Sequence, residues 1–225
     1  MDIHLHFEKT GSGEPLLLLH GNGEDGTYFV HQIEEFSKDF TVYAIDTRGH
    51  GKSPRGTAPF TISQFADDLL DFMNEHDLQK PNILGFSDGG NIALTFALRH
   101  PERVGRLILN GANLFPEGVK WSVQLPVVLG YHLSRLLRAP RAKTELLGLM
   151  VNEPHITPEK LATLTMPTLV IAGERDMIRD DHTRLIAKSI PGAHLAIIPG
   201  DHFIANKEPA AFNAAVRAFF QEESL

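Results

Sequence analysis

Asn82-Ile83-Leu84-Gly85-Phe86-Ser87-Asp88-Gly89-Gly90 decides how this chain is read. The first five residues make a short apolar run like a buried strand. From Gly90 to His100, Ile92, Ala93, Phe96 and Ala97 recur at helical spacing. A serine therefore stands at a sharp strand-to-helix bend. Glycine at 85 and 89 removes side chains where the bend would collide with its neighbours, and it tolerates the unusual backbone angles of a tight turn. Gly-x-Ser-x-Gly in this setting is a nucleophile elbow. It lifts the serine hydroxyl above the sheet and aims the next residue's N–H at the same point. The five-residue pattern alone is unspecific; the strand before it and the helix after it carry the reading.

Outward from the elbow, short apolar runs alternate with longer helical patterns. Ile3 to Glu8 alternates as a strand and reaches a turn at Gly11-Ser12-Gly13. Leu16 to Leu19 is a fully apolar strand, broken at His20-Gly21-Asn22-Gly23. Phe29, Ile33 and Phe36 share one helical face. Thr41 to Ile45 ends in the glycine-rich loop Asp46-Thr47-Arg48-Gly49-His50-Gly51-Lys52-Ser53. Ile62 to Asp77 is an amphipathic helix with Phe65, Leu69, Leu70 and Met73 inward. Val104 to Leu109, Pro167 to Ala172 and Leu195 to Ile198 complete the strands. Helices over about Asp181 to Ser189 and Pro209 to Phe220 close the pattern. The alternation predicts an α/β fold: a mixed, mostly parallel sheet of about seven strands, with helices on both faces.

One interval breaks the rhythm. From about Leu114 to Thr165 no strand is legible, and Pro116, Pro126, Pro140, Pro154 and Pro158 divide a helical or irregular pattern. Lying between two strands, it reads as a short helical cap inserted into a single domain over 1–225. A cap over the sheet's carboxyl edge would wall the pocket and set substrate choice, with Trp121, Tyr131 and Met150 as candidate lining residues. Trp121 is the tentative substrate contact among them.

Composition narrows the class. The chain has 225 residues, 42% of them hydrophobic, and a formal net charge of −7. That length is ample for a sizeable core. No basic run of five or more residues is present to neutralise phosphates, so no nucleic-acid partner is expected. Cysteine is absent, which removes disulfides and thiolate metal sites. Met1-Asp2-Ile3-His4 lacks the basic and apolar regions of a secretory signal. No stretch approaches the roughly 18 apolar residues that span a bilayer; the nearest, Val123 to Leu137, is interrupted by Pro126, Gly130, His132 and Arg135. The expectation is a cytoplasmic protein with no membrane partner, and its oligomeric state is left open.

A serine hydroxyl is a poor nucleophile near neutral pH unless a base reaches it and a third group orients that base. Ser87 thus calls for a histidine and a carboxylate at loop ends on the same sheet edge. Asp176 follows the strand ending Ile171-Ala172-Gly173, and His202 follows the last strand, within Pro199-Gly200-Asp201-His202. Asp180 and Asp181 are alternatives to Asp176 but read as a helix N-cap and first turn. Among 12 histidines, His182 and His194 read as structural or surface residues, and His50 as packing within its loop. His20 reads as fixing the turn after its strand, and Arg48 as tying its loop by an ion pair.

Taken together, His20-Gly21 after an apolar strand, Asp46-x-Arg48-Gly49-x-Gly51-x-Ser53, the elbow, Gly173-x-x-Asp176 and the terminal His202 resemble the α/β-hydrolase fold superfamily. The resemblance covers nearly the whole chain apart from the insertion. It implies a catalytic triad of Ser87 as nucleophile, Asp176 as orienting acid and His202 as general base. It also implies an oxyanion hole made by the backbone N–H groups of Asp88 and Asn22. Asp201 departs from the family, which often has a glycine there; a slight reshaping of the loop is expected.

The activity so implied is serine hydrolysis of a small carboxylic ester, lactone or related acyl substrate through an acyl-enzyme, with no metal and no cofactor. The same triad could instead serve C–C bond hydrolysis, lyase or perhydrolase chemistry, or the scaffold could be a ligand-binding sensor. Haloalkane dehalogenase and epoxide hydrolase activities are disfavoured, because those relatives need a carboxylate where Ser87 stands. Asp88 has two readings: a solvent-facing carboxylate at the helix's first turn, favourable to its dipole, or a pocket carboxylate that selects a positively charged substrate.

Overall fold

Segments of four to six residues, apolar in all but the exposed β1, become the strands β1 (Phe7–Thr10), β2 (Glu14–Leu19), β3 (Phe40–Ile45), β4 (Asn82–Phe86), β5 (Leu107–Asn110), β6 (Thr168–Gly173) and β7 (His194–Ile198). They form one sheet in the order β1-β3-β2-β4-β5-β6-β7. Only β1 runs antiparallel to its neighbour. The helices are α1 (Val30–Phe36), α2 (Ile62–Glu75), α3 (Asp88–Arg99), α4 (Trp121–Leu136), α5 (Arg141–Asn152), α6 (Asp180–Ser189), α7 (Ile204–Lys207) and α8 (Pro209–Gln221). This computed structural model describes residues 2–222. Met1 and residues 223–225, the ends of the expected 1–225 domain, lie outside the described residues.

The two-residue alternation of β2 shows how the sheet is buried on both sides. Leu17 and Leu19 pack with Phe65 and Leu69 of α2 and Phe96 of α3. Leu16 and Leu18 pack on the opposite face with Phe36 of α1 and Phe212 and Val216 of α8. Each such leucine contributes about 1.5–3 kcal/mol by leaving water. A parallel sheet buried on both faces explains why its strands read as unbroken apolar runs.

Sheet order also positions a site. The chain steps from β2 outward to β3, then crosses back to β4 on the other side of β2. Its direction of travel therefore reverses between β2 and β4. In open parallel sheets, the crevice beyond the carboxyl ends at such a reversal is where ligands bind. Here the residues at those ends are His20-Gly21-Asn22 and Ser87.

Several boundaries depart from the sequence pattern for local reasons. The strand expected at Ile3 to Glu8 forms only over Phe7–Thr10. Ile3 and Leu5 are buried, but the His6 N–H goes to Ser53 Oγ at 2.8 Å and not to a ladder partner. The strand expected from Val104 starts at Leu107, because a 3-10 turn over Pro101–Arg103 occupies the approach. On α2 the expected inward face of Phe65, Leu69, Leu70 and Met73 packs on the core, with Leu70 partly buried, and Phe72 joins it.

The interval expected as an insertion holds α4, α5 and 3-10 turns at Pro116–Gly118 and Pro158–Thr163. α5 is pinned: Arg55 donates to Glu145 at 2.8 and 2.6 Å, and Asn22 Nδ2 donates to the Leu146 carbonyl at 3.1 Å. α4 lies across α5, with Gln124 Nε2 donating to the Met150 carbonyl at 3.1 Å. Among the described residues, no helix is long and apolar enough to cross a membrane.

Candidate active site

Ser87 occupies the bend between β4 and α3 with φ 53° and ψ −119°. A non-glycine residue rarely adopts this conformation, which costs on the order of 1–3 kcal/mol and persists only where the surroundings enforce it. They do so here. The Ser87 N–H donates to the Asn110 carbonyl at 2.8 Å, and a Cβ on Gly89 would sit 2.0 Å from the Leu19 carbonyl oxygen. The elbow glycine is thus required because α3 enters directly against the end of β2. α3 begins at Asp88, two residues earlier than its apolar spacing suggested, so the Asp88 N–H is among the first four that helix geometry leaves without an internal acceptor.

The ends of β6 and β7 bring the other two groups to the same edge. His202 Nε2 lies 3.0 Å from Ser87 Oγ, and His202 Nδ1 lies 2.6 Å from Asp176 Oδ1. In the neutral ring, Nδ1–H donates to the carboxylate and Nε2 is left to accept the serine proton. Asp176 Oδ1 also accepts the Ile178 N–H at 2.8 Å, which fixes the carboxylate. Both Asp176 and His202 are buried. The imidazole packs beside the Phe86 ring at 4.8 Å. Room for it depends on Gly111, at φ 62°, where a Cβ would come within 2.7 Å of His202 Cε1.

The alternatives for these roles are placed elsewhere. Asp180 and Asp181 are exposed and pair with Arg184 and Arg179. His182 is buried, and its Nε2 accepts the Leu114 N–H at 2.9 Å. His194 is exposed beside Glu222. His20 Nε2 accepts the Thr47 N–H at 3.0 Å, and its Nδ1 lies 2.7 Å from the Gly21 carbonyl. Burial pushes that imidazole down to about 4, so it holds the turn as a neutral ring. His50 Nδ1 lies 3.0 Å from the Arg48 carbonyl. Arg48, wholly buried, grips Asp68 at 2.7 and 2.6 Å and also meets Asp2. Asp201 accepts the Phe203 N–H at 2.9 Å, which ties down the loop without displacing His202.

Ser87 opens into a narrow pocket of about 30 Å³ shared with Asn22, Asp88, Asn113, Met150 and Glu153. Asn22 Nδ2 donates to Asp88 Oδ2 at 2.8 Å, and Asn91 Nδ2 donates to Asp88 Oδ1 at 3.2 Å. Asp88 therefore faces the pocket and not bulk solvent. Burial raises its carboxyl above the usual range, against the lowering effect of the Asn22 hydrogen bond. Glu153 is also raised, first by burial and further by Asp88, while its Oε2 accepts the Ile62 N–H at 2.6 Å. Near the oxyanion turn, Glu24 accepts the Gly21 N–H at 3.2 Å, and burial pushes its carboxyl up to about 7.

Of the expected lining residues, Met150 reaches this pocket. Trp121 does not, which corrects the sequence expectation: it stands exposed at the rim of a separate cavity of about 570 Å³ under α4. Tyr131 is partly buried and lines neither space. Sequence reading missed Glu153 and Gly111. Glu153 gave no signal, being one carboxylate in an irregular stretch. Gly111 gave a faint one, a glycine directly after a strand at the carboxyl edge.

Known proteins similar to this chain include hydrolases and esterases. The serine hydrolase BPHL of Homo sapiens is 29% identical over 245 residues, covering 97% of this chain and 84% of its own. A putative carbamate hydrolase RutD from a Caulobacter species is 27% identical over 258 residues, covering 98% and 95%. A thermophilic esterase from Thermogutta terrifontis superposes with a TM-score of 0.84 at 26% identity, covering 97% and 93%. A family model described as alpha/beta hydrolase fold matches residues 14–150, more than half of the chain. The chain belongs to the α/β-hydrolase fold family and is an enzyme of that hydrolase class.

Proposed function

We propose that this enzyme is a serine hydrolase that cleaves a small carboxylic ester, lactone or related acyl compound through a covalent acyl-enzyme. The observation that carries the reading is the unbroken chain of contacts from Ser87 Oγ through His202 to Asp176, at 3.0 and 2.6 Å. As Oγ attacks the substrate carbonyl carbon, its proton passes to His202 Nε2, and Asp176 stabilises the resulting imidazolium. The carbonyl oxygen takes up negative charge against the N–H groups of Asp88 and Asn22. Losing one such donor typically costs about 3 kcal/mol of barrier. His202 then gives its proton to the leaving alcohol, whose C–O bond breaks. Water enters, gives a proton to the same imidazole and attacks the acyl-enzyme; the acid departs and Ser87 Oγ regains its proton.

Asp88 and Glu153 support a narrower reading within this class, preference for an acyl substrate bearing a positive charge. Two carboxylates line the Ser87 pocket, and none of its lining residues is cationic. An ammonium group on the substrate would meet both.

The test is a panel of esters and lactones differing in acyl length and charge, run with the parent and Ser87→Ala. The reading requires turnover of at least one acyl substrate class and a fall in kcat of about 10⁵- to 10⁶-fold in the variant. Turnover that survives Ser87→Ala would reject it.

A further inference from the structure

The outer face of α4 is built the wrong way round for a helix that ends at water. Trp121, Leu125, Leu129, Leu133 and Leu136 are 71%, 37%, 61%, 53% and 78% exposed. Their spacing of three and four residues places them on one face. The two buried residues of the helix are polar, Gln124 and Ser134. A surface helix normally buries its apolar stripe and wets its polar one. Six of the eight large exposed hydrophobic residues among the described residues fall within 121–137. A contiguous apolar patch of this kind marks a surface made to be covered.

Charge indicates what covers it. Between Gly118 and Thr144 the sequence has five Lys or Arg residues and no Asp or Glu, in a chain of formal net charge −7. Arg135, Arg138 and Lys143 cluster, exposed, at the carboxyl end of α4 and the start of α5, beside Arg141, which pairs with Glu145 at 2.9 Å. A second copy docked through the same face would offer these cations the outer side of α4, which has no Asp or Glu to pair with them. Negatively charged lipid headgroups over an acyl layer match both features at once.

We propose that the outward face of α4 is an interfacial docking surface that lays the cap on an anionic lipid bilayer. At about 1.5 Å per residue, the 16-residue helix is roughly 24 Å long and would lie in the interface plane. The expectation of no membrane partner weighed only stretches long enough to span, and an interfacial helix needs no such stretch. The face adjoins the route to the chemistry. Trp121 rims the cavity of about 570 Å³ beneath α4, and Val119 lines both that cavity and the Ser87 pocket. The docking proposal stands on the surface alone and does not depend on the hydrolase reading.

Trp121 is the sole tryptophan of the chain, so its fluorescence reports this face specifically. The full-length protein is titrated with phosphatidylcholine vesicles and with vesicles containing phosphatidylglycerol, and flotation is measured in parallel. Docking predicts a blue shift and co-flotation with the phosphatidylglycerol vesicles, weakening as NaCl rises from about 50 to about 500 mM. Leu129→Glu combined with Leu133→Glu should cut partitioning by at least about tenfold while far-UV circular dichroism stays unchanged. The independent pair Arg135→Gln and Arg138→Gln should lower the preference for phosphatidylglycerol. No shift or flotation with either vesicle, or equal binding to both, overturns the proposal. A vesicle-free blue shift that grows with protein concentration alongside a doubled mass in light scattering also overturns it, in favour of a second copy.

Discussion

At the carboxyl edge of the sheet, polar groups are held inside the protein with every approach specified: Ser87 to His202 at 3.0 Å, His202 to Asp176 at 2.6 Å. On the outer face of α4 the arrangement is reversed, with Trp121, Leu129 and Leu136 left in water while Gln124 and Ser134 are buried. The first region is determined by backbone. Strand ends, a forced bend and glycines at close approaches leave the side chains little freedom. The second is determined by surface chemistry, with its apolar side chains left exposed. A protein can therefore carry one region in which small changes are costly beside another in which large changes are nearly free.

The largest expected contrast tests the backbone argument. Gly111→Ala places a methyl where His202 Cε1 stands 2.7 Å away, so the imidazole must shift. Misplacement on the order of 1 Å costs about a hundredfold in rate, and kcat should fall by that factor with KM little changed. A variant with parental kcat would show that the edge is less exacting than its contacts indicate.

Asp88 sharpens the comparison from the substrate side. Asp88→Asn keeps an acceptor for Asn22 but removes the charge, so the preference for amino-acid esters over uncharged esters should drop by about tenfold or more. Burial raises the Asp88 carboxyl, so the parent's preference should grow with pH as that group ionises, and the variant's should not. Equal ester ratios in the two proteins would remove cationic selection from the account.

Glu24 gives a smaller, pH-dependent effect. Its carboxyl is raised from 4.5 to about 7 by burial. The unfolded chain therefore releases this proton earlier than the folded one, and the native state loses stability as pH rises between those values. Thermal melts of Glu24→Gln and the parent should agree near pH 4, diverge in favour of the variant up to about pH 7, then run parallel. A constant offset across that range would contradict the assignment.

The smallest expected change lies on α4. Leu129→Glu should alter unfolding free energy by no more than about 0.5 kcal/mol, because the side chain gives up little packing in the isolated protein. A loss of 2 kcal/mol or more would mean that the face is already covered by the protein itself.

The same contrast explains what was legible in the sequence. β4 begins and ends where the sequence pattern does, since all five of its residues are buried between the helices on the two faces. Ser87, Asp176 and His202 were readable because each lies within a few residues of a strand's carboxyl end, so topology delivers all three to one edge. Trp121 was misassigned because periodicity gives a helix but not which of its faces turns inward, and α4 turns the unexpected one. Glu153 was invisible because it reaches the Ser87 pocket through the fold of the insertion, from beyond the end of α5. The Ile3 to Glu8 alternation misled because His6 and Ser53 exchange the hydrogen bond that a ladder would have used.

The central claim is that the His202–Asp176 pair makes Ser87 the reactive alcohol of this protein. Titration with a fluorophosphonate, followed by peptide mapping, tests it most directly. The account predicts prompt labelling of one site per chain, mapped to Ser87, and loss of labelling in His202→Ala. Absence of labelling in the folded parent, or equal labelling in His202→Ala, would contradict it.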